Sequence, residues 1–175
     1  MNLSKQFQWL ALEDGPRHLL KAIELYGTKE VVGVKHNPII MGWAKEIGVD
    51  SYYKSDEIPW CGLFIATIIK RAARIPVKDP LRALSWAEFG IKSPIPMLGD
   101  VLTFKRDGGG HVGLYIGEND SVYYVLGGNQ GNAVSIVPIA KTRLFEARRP
   151  EYISPPLNIR KVQLEAGGKV SINEA

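Results

Sequence analysis

The sequence predicts an α+β fold, and three observations predict it. Apolar residues of the first half recur at helical spacing. Those of the second half fall in short β-branched and aromatic runs separated by Gly, Asn and Asp. The order is helices first and antiparallel strands after. With 175 residues, 45% of them hydrophobic, the chain is long enough for one packed domain and short for two.

Each element has its own grammar. PRHLLKAIELYG opens with Pro16, spaces Leu19, Leu20, Ile23 and Tyr26 along one helix face, and stops at Gly27. HNPIIMGWAKEIG repeats it, with Asn37 as cap, Pro38 in the first turn, Ile39, Ile40, Trp43 and Ile47 on one face, and Gly48 as stop. After the polar VDSYYKSDEIP, the run WCGLFIATIIKRAARI is apolar all round, bounded by Pro59 and Pro76, and predicts a buried helix with Cys61 in its first turn. DPLRALSWAEFG predicts a further short helix, capped by Asp79, with Pro80 in its first turn and Gly90 at its end. VLTFKR, HVGLYIG, VYYVLGG, AVSIVPI and RLFEARR then predict strands. Residues 1–150 are assigned to the domain; the more polar 151–175 form an extension that either wraps it or is a partly mobile tail.

A net charge of +4 suits a polyanionic partner or plain solubility and chooses between neither. No run approaches a membrane span, so no membrane insertion is expected. MNLSKQFQWLALEDG lacks the apolar core of a signal peptide, so the expected site of synthesis is the cytoplasm. One Cys and three scattered His offer no zinc-ligand spacing, and GGG before His111 is not a phosphate loop; no metal and no cofactor are expected.

The chemistry is expected at Cys61. A helix N-terminus offers unpaired N–H groups and a positive dipole end, which favour a thiolate and can hold an oxyanion. A lone Cys is usually a small buried hydrophobe, and in this local context the two readings stand about even. His111 follows flexible glycines and opens a strand, which places it at a rim within reach of a helix N-terminus, as the general base. An ion pair between the two predicts fast alkylation near neutral pH. His18, within an amphipathic helix, and His36, beside a cap where a structural role is favoured, are the other two candidates for the base, and Asp100 is expected to be structural. A third group should orient the imidazole, and VLGGNQGN supplies Asn129, with Gln130 next to it; ordinary turn chemistry is the competing reading. Asp56 and Glu57 either meet a substrate amine or form a solvated loop, and Trp60 and Gly110 complete the expected substrate contacts.

D-E-I-P-W-C-G-L-F, L-G-D-V-L-T-F, G-G-H-V-G-L-Y-I-G and V-L-G-G-N-Q-G-N-A-V-S-I resemble the NlpC/P60 and CHAP superfamily of papain-like peptidoglycan hydrolases, in its phage-associated single-domain subgroup. With G-T-K-E-V-V-G and H-N-P-I-I the resemblance covers about residues 7 to 150. It implies a papain-like fold, with the Cys helix packed on an antiparallel sheet that carries the His. It further implies cleavage of a peptidoglycan amide bond by Cys61 as nucleophile, His111 as base and Asn129 as orienting residue. Many members place a second His in the third role, or a Glu upstream of an Asn; Gly127 stands about where that Glu would fall. The expected protein is a monomeric endolysin or virion lysin, without nucleic-acid partners, acting in the periplasm or wall after release from the host cytoplasm. The absence of a recognisable wall-binding repeat favours a Gram-negative target. A toxin-type amidase and a catalytically idle wall-binding module are the alternatives.

Overall fold

The computed structural model describes residues 3–33, 35–165 and 167–174. Its helices α1 (Arg17–Glu24), α2 (Pro38–Ile47) and α3 (Cys61–Arg71) precede a six-stranded antiparallel sheet. The strands are β1 (Ile91–Lys92), β2 (Val101–Arg106), β3 (Gly109–Glu118), β4 (Val122–Gly127), β5 (Ser135–Ala140) and β6 (Leu144–Arg149), in the spatial order β1-β6-β2-β3-β4-β5. The α+β reading therefore stands. Five strands fall where the sequence places them; the two-residue β1, which carries too little pattern to predict, pairs with the end of β6.

The caps of α2 are those the sequence calls for. The Asn37 side chain accepts from the Ile39 N–H at 2.7 Å, and Gly48 ends the helix in the left-handed region at φ 80°. Helix α3 is buried on every side from Cys61 to Ile69, as its uniformly apolar sequence requires. Trp43 of α2 packs on both Trp60 and Phe64, with ring centroids 5.9 Å apart in each pair. Along the sheet, Val112, Leu114 and Ile116 of β3 and Tyr124 and Leu126 of β4 join the core shared with the helices, whereas Phe104, Tyr115 and Val125 join a second cluster.

The short helix expected over residues 79–90 is present as a 3-10 helix, Ala83–Glu88, shorter than its caps suggest. The Pro80 carbonyl, which would start an α-helical ladder, accepts from the Trp86 indole N–H at 3.0 Å. The same carbonyl lies against the first turn of α3, where a Cβ on Gly62 would come within 2.3 Å of it. Close packing against α3 thus overrides local helix propensity. A 3-10 turn at Lys5–Leu12, burying Phe7 and Leu10, adds an element the sequence reading lacks.

Of the two readings of residues 151–175, wrapping is the one seen over the described part. Arg160 O accepts from Leu98 N, and Val162 O from Glu118 N, each at 2.9 Å, while Leu164 N donates to Glu118 O at 2.9 Å. Val162 and Leu164 pack against the core. Among the described residues no helix is long and apolar enough to cross a membrane.

Candidate functional site

Cys61 begins α3, with Trp60 as its N-cap residue, and is 5% exposed. Burial pushes the thiol above its ordinary range. The N–H groups of Val112, Gly62 and Cys61 itself, together with the Arg106 charge, pull the other way without prevailing. Val112 directly follows His111 on β3, so strand and helix N-terminus meet, but the expected rim position is corrected: His111 is the third residue of β3 and is buried. The close approach depends on small residues: a Cβ on Gly128 would lie 2.6 Å from Phe64 Cβ and 2.8 Å from the Trp60 ring.

His111 is 2% exposed, and burial depresses its imidazole to about 4, against the opposing influence of Glu174 and of Gln130. Its Nε2 lies 2.9 Å from Gln130 Oε1. The tautomer follows from the rest of that amide. Gln130 Nε2 donates to the carbonyls of Ser135 at 2.6 Å and Val125 at 3.2 Å, so Oε1 is the atom that must face the imidazole. An oxygen there can only accept, so His111 carries its proton on Nε2 and presents Nδ1 as the basic nitrogen. Burial thus pushes the thiol up and the imidazole down, and both shifts work against a charged pair. Desolvation of both groups therefore works against the thiolate–imidazolium ion pair from which fast alkylation near neutral pH is expected.

The orienting position is also corrected, from Asn129 to Gln130. Asn129 sits in the left-handed region at φ 56°, which breaks the side-chain alternation that would carry it toward His111. Its side-chain oxygen is buried without a hydrogen-bond partner. Gln130 fills the space left by Gly127, where a Cβ would lie 2.8 Å from Gln130 Oε1 and 3.1 Å from His111 Nε2. The two neighbours can be separated by mutation. Asn129→Gly, which suits the positive φ and removes the orphan oxygen, is expected to keep stability and turnover within about threefold. Gln130→Ala removes the bond that fixes the tautomer and is expected to lower turnover by about tenfold to a hundredfold, with KM little changed. A larger loss in Asn129→Gly than in Gln130→Ala, measured by steady-state kinetics, returns the role to Asn129.

Two expected substrate contacts are unavailable. Asp56 is 0% exposed, and its carboxylate accepts from the N–H of Val31 at 3.0 Å, the N–H of Asn37 at 2.8 Å and His36 Nδ1 at 2.9 Å. Burial works to raise its pKa, but these donors outweigh it and hold the carboxyl below the usual range. Asp56 thus organises the segment leading into α2, and His36 is structural, as expected. Trp60 is 0% exposed, with its indole N–H donated to Glu30 at 3.1 Å. Gly110 lies beneath Leu84, whose Cδ2 would be 2.6 Å from a Cβ there. Glu57 remains on the surface. Asp100 is structural too, held by Arg149 at 2.7 Å and by the Ser93 hydroxyl at 2.7 Å.

The sequence reading missed Arg106, Arg143 and Glu174, which surround His111 electrostatically. The basic run ending β2 and the Arg that opens RLFEARR were the available signals, but neither carries a recognisable spacing. Among the described residues no group of three or more His, Cys, Asp or Glu is placed to hold a metal ion.

His18 is 1% exposed, lies 2.6 Å from the Gly99 carbonyl through Nε2, and is also depressed by burial to about 4. Both buried histidines have folded pKa values below the unfolded one. Their contribution is therefore complete above the unfolded value and is lost as pH falls from about 6.5 toward 4. Each is expected to cost about 3 kcal/mol at the acid end of that window. Urea unfolding between pH 7 and 4 checks this: His18→Gln should flatten the acid loss, and an unchanged slope contradicts the assignment.

Together the elements define a class of site: a single thiol at the N-terminus of a buried helix, set against an antiparallel strand that carries an imidazole of fixed tautomer. No protein-family model matches the chain, and no curated protein sequence matches it.

Proposed function

We propose that the protein is a cysteine peptidoglycan hydrolase, cleaving either the muramoyl–alanine amide or an amide within the peptide, on a papain-like fold of the NlpC/P60 type. The observation that carries the proposal is the Gln130 amide, whose two donated bonds leave its oxygen to hold His111 with a basic Nδ1. A packed structural cysteine needs no neighbouring imidazole with a defined free nitrogen. The motif resemblance around Cys61 and His111 supplies the substrate class.

In the proposed reaction the Cys61 thiol gives its proton to His111 Nδ1 as Sγ attacks the amide carbonyl. The N–H groups at the start of α3 and at Val112, which already favour negative charge on the sulfur, stabilise the charge that develops. The C–N bond breaks as the imidazolium returns the proton to the leaving nitrogen, giving an amine and a thioester. Water, losing its proton to the same Nδ1, attacks the thioester. The C–S bond breaks, the acid is released, and the proton returns to the thiol.

Mass spectrometry of muropeptides from purified sacculi incubated with the protein tests this directly. Peptides freed from muramic acid identify an amidase and shortened stems an endopeptidase. An undigested sacculus that nevertheless retains the protein identifies the idle binding module instead.

A further inference from the structure

The proposed reaction uses neither Arg106 nor Arg143 nor residues 167–174, yet these converge beside His111. The segment runs along β5, where Ser171 N donates to Pro138 O at 2.8 Å, and then turns inward. Glu174 O accepts from Gly131 N at 3.0 Å, one residue past the amide that holds His111. Its carboxylate is gripped by both arms of Arg143, Nη1 to Oε1 at 2.7 Å and Nη2 to Oε2 at 2.9 Å. Arg106, whose charge acts on both Cys61 and His111, donates through Nη1 to the Asn173 side-chain oxygen and through Nε to Gly110 O at 3.3 Å.

This is a built carboxylate site. The Glu174 side chain is 1% exposed and Arg143 is 18% exposed, so the planar fork meets the carboxylate largely out of water. Against burial, Arg143 and His111 hold the Glu174 carboxyl below its ordinary range. Arg143 also reaches the backbone of the segment, its Nη1 donating to Ser171 O at 2.9 Å. Val170 and Ile172 point outward at 42% and 83% exposure. A cavity of about 320 Å³ lies between Gln130, Gly131 and Val137 on one side and Val170 and Asn173 on the other. Cys61 and His111 are 5% and 2% exposed, so no polymer reaches the pair in this state.

We propose that residues 169–174 are a strap closing the Cys61–His111 site, and that Arg143 forms a carboxylate subsite, filled by Glu174 at rest and by a carboxylate of an acidic peptide substrate when the strap lifts. The proposal rests on reading Cys61 and His111 as the reacting pair. The exchange replaces one carboxylate by another in the same fork, so the arginine is never left unpaired. It also explains how a site whose burial suppresses the thiolate can serve a large substrate: lifting the strap rehydrates the sulfur and relieves that suppression.

The test is the rate of Cys61 alkylation by iodoacetamide at pH 8, followed by intact-protein mass spectrometry, with thermal melting to verify folding. The chain truncated after Gly168 and the full-length Glu174→Gln variant are both expected to react at least tenfold faster than the unmodified chain. A synthetic peptide of residues 169–175 should slow the truncated chain again. The same peptide carrying Glu174→Gln should not, nor should either peptide protect a truncated chain that also carries Arg143→Gln. Equal rates in folded full-length and variant proteins overturn the strap, and protection that ignores the carboxylate overturns the subsite. Where truncation melts the fold, the full-length Glu174→Gln variant decides. Sacculus digestion is scored separately. Protection without any digestion refutes the peptidoglycan reading and leaves the strap standing, and digestion without protection does the reverse.

Discussion

Cys61→Ser should abolish sacculus digestion, lowering turnover by a thousandfold or more on the order expected for loss of a nucleophile, while the protein remains folded. Sulfur and oxygen differ little in size, and the side chain stands at the first turn of α3, where N–H groups are already present to receive a hydrogen bond. The change in stability should therefore stay within about 1 kcal/mol. The chemical difference is far larger. A serine hydroxyl ionises much less readily than a thiol, and His111, depressed by burial, is too weak a base to compensate. Melting curves and digestion assays on the same preparation separate the two effects. A folded Cys61→Ser protein that digests sacculi at the original rate removes Cys61 from the reaction.

His111→Ala carries the second largest effect, a loss of about a hundredfold to ten-thousandfold in kcat/KM. Two consequences distinguish a base from a packing residue. The acid limb of the pH profile reports the imidazole, so it should fall between about 4, the value in the closed site, and the ordinary 6.5 reached when the site is hydrated. That limb should disappear in His111→Ala. The fold, by contrast, should gain acid resistance, because a buried neutral imidazole no longer has to stay unprotonated. Removing the ring leaves Gln130 Oε1 without its donor, at a cost of about 1–3 kcal/mol near neutral pH. His111→Gln, which keeps a donor but no base, should recover stability and not activity. Activity retained in either variant, with an unchanged acid limb, assigns the proton transfer elsewhere.

What was legible in the sequence was local. The caps of α2, the buried α3 beginning at Cys61 and the strand that carries His111 follow from spacing, capping chemistry and composition, all of which act within a few residues. Those signals put a thiol at a helix start and an imidazole at a strand start, and the α+β order put the two elements in one domain. They failed where a contact between distant segments outweighed local preference. Asp79–Gly90 has the grammar of a longer helix than the 3-10 helix Ala83–Glu88 it forms, because the Pro80 carbonyl is taken by Trp86 and pressed against Gly62. Asp56 reads as a surface acid beside a nucleophile, but it is consumed by the N–H groups of Val31 and Asn37 far upstream.

The third residue shows the limit most sharply. Asn129 and Gln130 are adjacent, and extrapolating β4 favours the first; a single left-handed residue at φ 56° hands the imidazole to the second. The sequence by itself determined the class of fold, the elements that present Cys61 and His111, and the residue types available for chemistry. Only the tertiary structure decided which amide fixes the imidazole tautomer, that burial pushes the Cys61 thiol up and the His111 imidazole down, and that Glu174 reaches Arg143 near them. Those outcomes depend on desolvation and on pairings between segments remote along the chain, and neither leaves a periodic trace in the sequence.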